Sequence, residues 1–309
     1  MSGVGITAVV VTWNRRELLA QSLHAIQVQT LAPAGVIVVD NASDDGTDQM
    51  LAERFPHLDV VRAHVNTGGA GGFAIGLERA LSTRCGLVWL MDDDTVPQTT
   101  ALAELVEARQ RYGGAPPSLV ASRVVWTDGR DHPMNTPRVK PWVRAGERAA
   151  AAEVGCVPIR SASFVSVLVD ADLVRQRGLP LAGYFLWNDD FEFTSRIIRH
   201  GRGLYCPSSV VVHKTRTFGS TDADPGERFF FEVRNKIWLF GRSRCLSPAE
   251  KGVYAGSTLR RWGRTIAGSR DRRTLWRGLR RGLVAGVRTR PRPTEDVIAA
   301  ATGRTPSRD

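Results

Sequence analysis

The apolar run Leu87-Val88-Trp89-Leu90-Met91 passes without a break into Asp92-Asp93-Asp94. Bounded by Gly86 on one side and Val96-Pro97 on the other, it reads as a buried strand, and its lack of alternation reads as a parallel one. Three carboxylates then stand at its carboxyl end, where an open α/β sheet binds its ligands. Adjacent carboxylates repel unless a divalent cation or a phosphate–metal complex neutralises them. A metal-bridged diphosphate and a solvated acidic turn capping a helix are the two readings of these letters.

The preceding residues repeat the plan. Ile6 to Val11 is β-branched and ends in Thr12-Trp13-Asn14-Arg15, after which Leu19, Leu23 and Ile26 mark one helical face. Val36 to Val39 ends in Asp40-Asn41-Ala42-Ser43 before a helix over about Thr47 to Arg54; Asp59 to Arg62 gives a third strand and Phe73 to Leu81 a third helix. Strands alternating with helices predict an α/β fold, a mostly parallel sheet flanked by helices. All carboxyl ends of a parallel sheet point one way, so one crevice can collect the three polar ends. Asn66-Thr67-Gly68-Gly69-Ala70-Gly71-Gly72 carries the letters of a dinucleotide fingerprint, but too late, since that motif belongs at the first strand–helix turn. A turn that lets backbone approach a nucleotide and a flexible connector without a ligand both stay open.

Further on, the pattern predicts a helix around Thr100 to Arg111, a strand over Leu119 to Trp126, and a long surface loop from Asp128 to Ala152. A strand over Ser163 to Val169 and a short helix to Arg177 follow. Aromatic residues then surround Asp189, Asp190 and Glu192 in the stretch Tyr184 to Arg196. Such surroundings raise a carboxyl pKa toward that of a useful base, although an acid-rich first helical turn explains the same letters. His213 closes the β-branched run Ser209 to Val212, and it gains meaning only if the fold brings it to Asp92 and Asp94, where N and O ligands suit Mg2+ or Mn2+. Phe229 to Phe240 reads as a helix.

Charge is placed unevenly. From Arg244 onward there are 16 Lys and Arg against 5 Asp and Glu, whereas the first 243 residues hold 26 of each. In that tail Leu275, Trp276, Leu279, Leu283 and Val287 follow helical spacing among arginines, the pattern of a basic amphipathic helix on an anionic membrane or of ordinary packing with an arginine-rich outer face. Nucleic acid is disfavoured as a partner, because an acid-lined crevice repels a polyanion. The end of the chain from about Pro291 is expected to be mobile. No stretch has the 18 apolar residues of a membrane span, and the N-terminus lacks a secretory pattern. Four widely spaced cysteines read as reduced thiols, and the expected location is cytoplasmic.

Taken in order, these pieces resemble glycosyltransferase family 2, inverting enzymes of the GT-A (Rossmann-like) fold. Within it the chain is similar to the galactofuranosyltransferases that start actinobacterial cell-wall galactan on a polyprenyl-diphosphate-linked disaccharide. The resemblance spans about residues 6–216 and implies a GT-A domain over 1–243, its nucleotide half 1–98 and acceptor half 99–243, followed by a basic helical region 244–309. It implies that Asp40 holds uridine, that Thr12, Asn14, Arg15, Asn41, Asn66 and Gly68 line the nucleotide pocket, and that Asp93 faces the ribose. Asp92, Asp94 and His213 would ligate Mn2+ or Mg2+. Asp190 would be the base, with Asp189, Glu192 and Trp187 at the acceptor sugar; the extra Asn188 after Trp187 departs from the chain-extending relatives and leaves open which Asp takes the proton.

The expected reaction is transfer of galactofuranose from UDP-galactofuranose to a rhamnosyl-GlcNAc-diphospho-polyprenol, at the inner face of the plasma membrane. The basic helix would meet the anionic membrane, and association into a homo-oligomer is left open. A dTDP-rhamnose-dependent rhamnosyltransferase is the competing reading within the class. A nucleotidyltransferase, which would release pyrophosphate, and a non-catalytic binding module are the readings outside it.

Overall fold

The computed structural model describes residues 5–219 and 224–304. Its elements are β1 (Ile6–Thr12), α1 (Arg16–Gln27), β2 (Gly35–Asp40), α2 (Thr47–Arg54), β3 (Asp59–Arg62), α3 (Gly68–Leu81), β4 (Leu87–Asp92) and β5 (Thr95–Pro97). Then come α4 (Ala101–Arg111), β6 (Leu119–Val125), β7 (Arg138–Val139), α5 (Ala145–Glu153), β8 (Val157–Ser161), β9 (Val167–Asp170), α6 (Ala171–Arg177), α7 (Asp189–Ile198) and β10 (Gly203–His213). Four C-terminal helices follow: α8 (Phe229–Arg242), α9 (Pro248–Gly268), α10 (Arg272–Arg288) and α11 (Thr294–Thr302).

The ten strands form one sheet in the order β3-β2-β1-β4-β9-β6-β10-β8-β7, with β5 paired to β10. β3, β2, β1 and β4 are parallel, as their alternation with helices requires. The sheet as a whole is mixed, because β9 runs antiparallel to both β4 and β6, and β8 antiparallel to β10. β4 shows why its sequence does not alternate: Trp89 and Met91 join the core under α1 and α4, Val88 and Leu90 the core under α3 and α7. Both faces are dry.

Three expectations are corrected. The span Asp128–Ala152 is not loop throughout, since it contains β7 and most of α5. The glycines 68, 69, 71 and 72 are not a connector but the first turn of α3, and Cβ atoms at Gly72 and Gly76 would run into Val11 and Val9 of β1. The stretch from Pro291, expected to be mobile, holds α11, whose Val297, Ile298 and Ala301 are buried in the core beside α3; residues 305–309 lie outside the described residues.

α10 is the basic amphipathic helix that the spacing predicts, but it turns an unexpected face inward. Gly278, Gly282 and Gly286 pack on α8, where a Cβ at Gly282 would lie 2.7 Å from Val233 and one at Gly286 2.6 Å from Ile237. Trp276 and Val287 stay outside at 54% and 67% exposure.

Ile298→Ala, which removes a buried side chain from the packed terminus, is expected to cost about 2–5 kcal/mol. Thermal or urea unfolding measures it. A loss indistinguishable from zero would mean that the terminus is not packed.

Candidate functional site

Strand direction explains why the acids meet. With antiparallel β9 between β4 and β6, the carboxyl ends of β1, β2, β4, β6 and β10 all open on one edge. The chain leaves β4 through Asp92-Asp93-Asp94 and immediately pairs β5 with the end of β10, Thr95 opposite His213. The Lys214 N–H donates to the Asp94 carbonyl at 2.8 Å, which fixes Asp94 beside His213. Asp92, Asp94 and His213 each offer a ligand atom within 4.8 Å of the others, the one such group among the described residues.

The donor set fits a hard divalent cation. Asp94 Oδ1 is buried and 2.9 Å from His213 Nε2, yet it makes no hydrogen bond of proper geometry. His213 Nδ1 lies 2.8 Å from Asn135 Oδ1, and the Asn135 amide is oriented by its donation to Ser163 Oγ at 3.1 Å. A ring that donates through Nδ1 presents Nε2 as a lone pair, the arrangement that orients a histidine ligand. With the ring neutral, oxygen and nitrogen donors converging at this distance suit Mg2+ or Mn2+.

Charge at this edge is strained and then balanced. Burial raises the Asp92 carboxyl to about 6, helped by Asp94, and raises Asp93 to about 7 against the pull of Arg15. Asp94 goes the other way: burial is outweighed by His213 and Arg15, so it stays below the usual carboxylate range. His213 is correspondingly raised, burial being outweighed by Asp94. Arg15 is the fixed counter-charge, its Nη1 paired with Asp94 and 3.4 Å from Asp93 Oδ1.

On the neighbouring strands, Thr12 Oγ1 donates to Asp93 Oδ2 at 2.8 Å and joins the ends of β1 and β4. Asp40 is buried, and its Oδ1 accepts from the Ser43 N–H at 2.9 Å. Its Oδ2 has no hydrogen-bond partner and the Arg62 Nε is 3.8 Å away, leaving one acceptor for a ligand N–H. Asn14 joins two loops, donating from Nδ2 to Asp44 at 2.7 Å and accepting from the Asp44 N–H at 2.8 Å. Asn66 Oδ1 accepts from Asn41 Nδ2 and the Gly68 N–H.

The second acid pair opens α7. Asp189 and Asp190 share a cleft of about 300 Å3 with Asp92, His213 and Trp187. Burial raises Asp190 to about 6 although the Phe191 N–H and Lys236 oppose it, and burial with the neighbouring Asp190 raises Asp189 well above its ordinary value. Each cluster feels the other, since Asp190 contributes to the rise at Asp92 and Asp92 to the rise at Asp189.

Three predicted site residues have other duties. Glu192 is turned away from the cleft, its carboxylate bound to Arg196 at 3.0 Å and to Ser243 Oγ at 2.7 Å, because it stands on the packed side of α7. Asn41 spends its whole amide locally: Oδ1 accepts from Thr67 N and Oγ1, and Nδ2 donates to Asn66 and the Gly68 carbonyl. Gly68 has φ 70°, and a Cβ there would fall on the Phe185 carbonyl rather than face a ligand. Conversely, the cleft holds residues that the sequence reading missed. Glu232 and Lys236 on α8 line it, as do Arg261 on α9 and Asn135. Glu232 pairs with Arg261 and accepts from Asn188 Nδ2 at 2.8 Å, and Lys236 Nζ stands 4.6 Å from the centre of the Phe191 ring. The signal was present: Glu232 and Lys236 stand one turn apart in a helix rich in Phe and Trp, and charges buried there are rarely tolerated unless paired.

Comparison with known proteins agrees with this geometry. The family model of Glycosyl transferase family 2 matches residues 7–160. The galactofuranosyltransferase GlfT1 of Mycolicibacterium smegmatis is 31% identical over 263 residues, covering 79% of this chain and 86% of the relative. The protein of the same name from Mycobacterium tuberculosis is 29% identical over 291 residues, covering 89% and 93%. Among solved structures, residues 1–349 of S. aureus TarS align with a TM-score of 0.61 at 16% identity, over 96% of this chain and 83% of that one. GalNAc-T7, solved with UDP, GalNAc and Mn2+, aligns with a TM-score of 0.56 at 16% identity, over 75% and 47%. These two share the fold, a GT-A-like mixed sheet flanked by helices.

Mn2+ is expected to raise the melting temperature of the protein, and Asp94→Asn or His213→Ala to abolish that rise. Differential scanning fluorimetry with a Mn2+ titration measures it. A rise preserved in both variants would place the ion elsewhere.

Proposed function

Because the chain belongs to glycosyltransferase family 2, we propose that it is an inverting, divalent-cation-dependent galactofuranosyltransferase. It carries galactofuranose from UDP-galactofuranose to a rhamnosyl-GlcNAc-diphospho-polyprenol in cell-wall galactan synthesis. One observation carries the reading: Asp92 and His213 from one sheet edge share a cleft with Asp189 and Asp190 from the start of α7. The names of the mycobacterial relatives support the donor sugar. The UDP and Mn2+ bound to GalNAc-T7 support the nucleotide and the ion.

In this reading the unpartnered Asp40 Oδ2 accepts the base N–H of uridine, Thr12 and Asp93 stand at the ribose, and Arg15 with Asn14 and Asn66 borders the nucleotide. Asp92, Asp94 and His213 would hold Mn2+ or Mg2+, which would supply positive charge to the departing diphosphate. Arg15, already paired with Asp94, is near enough to add its charge to the same leaving group. Asp190, with Asp189 beside it, takes the proton of the acceptor hydroxyl as its oxygen bonds to the anomeric carbon and the carbon–phosphate oxygen bond breaks toward UDP. Attack from the side opposite the leaving group inverts the centre. Trp187 gives the acceptor sugar an apolar wall, with the Arg228 guanidinium 5.7 Å from its ring centre.

A lipid-linked acceptor accounts for the outer face of α10. Trp276, Val284 and Val287 are more than half exposed among arginines, and α10 carries no acid. Such a face suits the boundary of an anionic membrane, and the enzyme then works as a peripheral protein at the inner face of the plasma membrane. No described helix is long and apolar enough to cross it.

Incubation with UDP-galactofuranose and a synthetic rhamnosyl-GlcNAc-diphospholipid is expected to give product only with Mn2+ or Mg2+. A base must be ionised, and burial raises the Asp190 carboxyl of the free protein to about 6, so kcat/KM is expected to fall as pH drops below about 6. Asp190→Asn should lose about 100- to 10,000-fold in kcat with UDP affinity retained. Preference for a dTDP-sugar would replace the donor assignment by the rhamnosyl one, and an unimpaired Asp190→Asn would remove the base assignment.

A further inference from the structure

The acid pair of α7 hangs on a segment whose backbone is unusual for its residues. Phe185, Trp187 and Asn188 have φ values of 66°, 67° and 66°, a region that Asn enters readily but that bulky residues such as Phe and Trp enter only when their surroundings impose it. Two sets of contacts impose it here.

From α8, the fully buried Asn235 points its Nδ2 at three carbonyls of the segment, which share its two N–H donors: Tyr184 at 3.0 Å, Leu186 at 2.8 Å and Trp187 at 2.8 Å. Arg234 adds a donation to Tyr184 at 2.8 Å, and Glu232 accepts from Asn188 Nδ2. From the nucleotide side, the Ala70 N–H donates to the Phe185 carbonyl at 3.3 Å. Gly68 leaves the room for that carbonyl, and Asn41 holds the Gly68 carbonyl at 2.9 Å. The segment 184–188 is therefore a strap pinned at one side to the first turn of α3 and at the other to α8, with Asp189 and Asp190 as its next residues.

We propose that Asn235 and Gly68 are positioning residues for the transfer step: they touch no substrate, and together they fix the strap that sets Asp189 and Asp190 opposite the sugar bound at the Asp92–Asp94 edge. The inference rests on the reading of Asp190 as the base. It assigns Gly68 a role in catalytic geometry instead of nucleotide contact, and it gives the glycine-rich turn a function that a dinucleotide motif would not have. A strap shared by the two halves of the site also means that damage at either pin displaces the same two carboxylates.

The test uses the full chain with Gly68→Ala, Asn235→Ala, the near-isosteric Asn235→Asp, and the Gly68→Ala/Asn235→Ala double variant. UDP affinity is read by calorimetry with Mn2+ present, folding by thermal melts, and kcat and KM by transfer to the synthetic acceptor. A displaced base costs rate rather than binding, so kcat is expected to fall about 100-fold in each folded single variant while UDP affinity holds. The double variant is expected to be little slower than either single one, because both act through one strap. Loss of stability at two unrelated sites would instead add in the melts and leave kcat in place. Wild-type kcat in any one folded variant overturns the proposal, as does a kcat loss matched by an equal loss of UDP affinity. The underlying reading fails separately: if Asp190→Asn keeps its rate, the base assignment is wrong, whereas a dead Asp190→Asn beside unimpaired strap variants removes only this inference.

Discussion

The site depends on mutual repulsion among carboxylates held out of water. Two unit charges 4 Å apart near a protein surface interact by about 4 kcal/mol, and Asp92, Asp93, Asp189 and Asp190 are all raised by burial within one region. The fold tolerates this because part of the charge is answered. Asp94 leans on His213 and Arg15, Asp93 is hydrogen-bonded by Thr12, and Asp190 feels the Lys236 ammonium. Asp40 Oδ2, buried with no hydrogen-bond partner, is the acceptor left open at this edge.

Topology converts that local chemistry into a two-sided site. β9 runs antiparallel to both of its neighbours, so β6 and β10 beyond it keep the direction of β4, which brings His213 to the same edge more than a hundred residues after Asp94. The short β5 then ties that histidine to the residue after the acid triplet. α8 and the helices packed on it close the far side of the cleft, so the C-terminal region supplies site wall as well as surface.

Much of this was legible in the residues. Buried strands announce themselves as unbroken apolar runs, and their polar ends gave Thr12, Asp40, Asp92 and Asp94 their places because the direction of a βα unit is fixed by its connection. Asp92, Asp94 and His213, expected from the sequence to converge, are the group of potential metal ligands that the fold assembles among the described residues. The rest depends on tertiary partners that spacing does not encode. Glu192 sits in the same acid-rich stretch as Asp190, yet two residues, about 200° of helix rotation, turn it to the other side of α7 and hand it to Arg196 and Ser243. β8 was hidden because Pro158 and Arg160 interrupt its pattern, and α9 because its apolar residues are few and scattered among glycines. Gly68 was read as backbone freedom near a nucleotide, when its constraint is a carbonyl more than a hundred residues away.

Whether the two acid groups face one sugar from opposite sides is decided by a crystal structure with Mn2+ and a non-hydrolysable UDP-sugar. A single Mn2+ anomalous peak is expected at Asp92, Asp94, His213 and the diphosphate, with the anomeric carbon between that ion and the Asp190 carboxylate. An ion bound elsewhere, or a donor whose anomeric carbon faces away from α7, would contradict it.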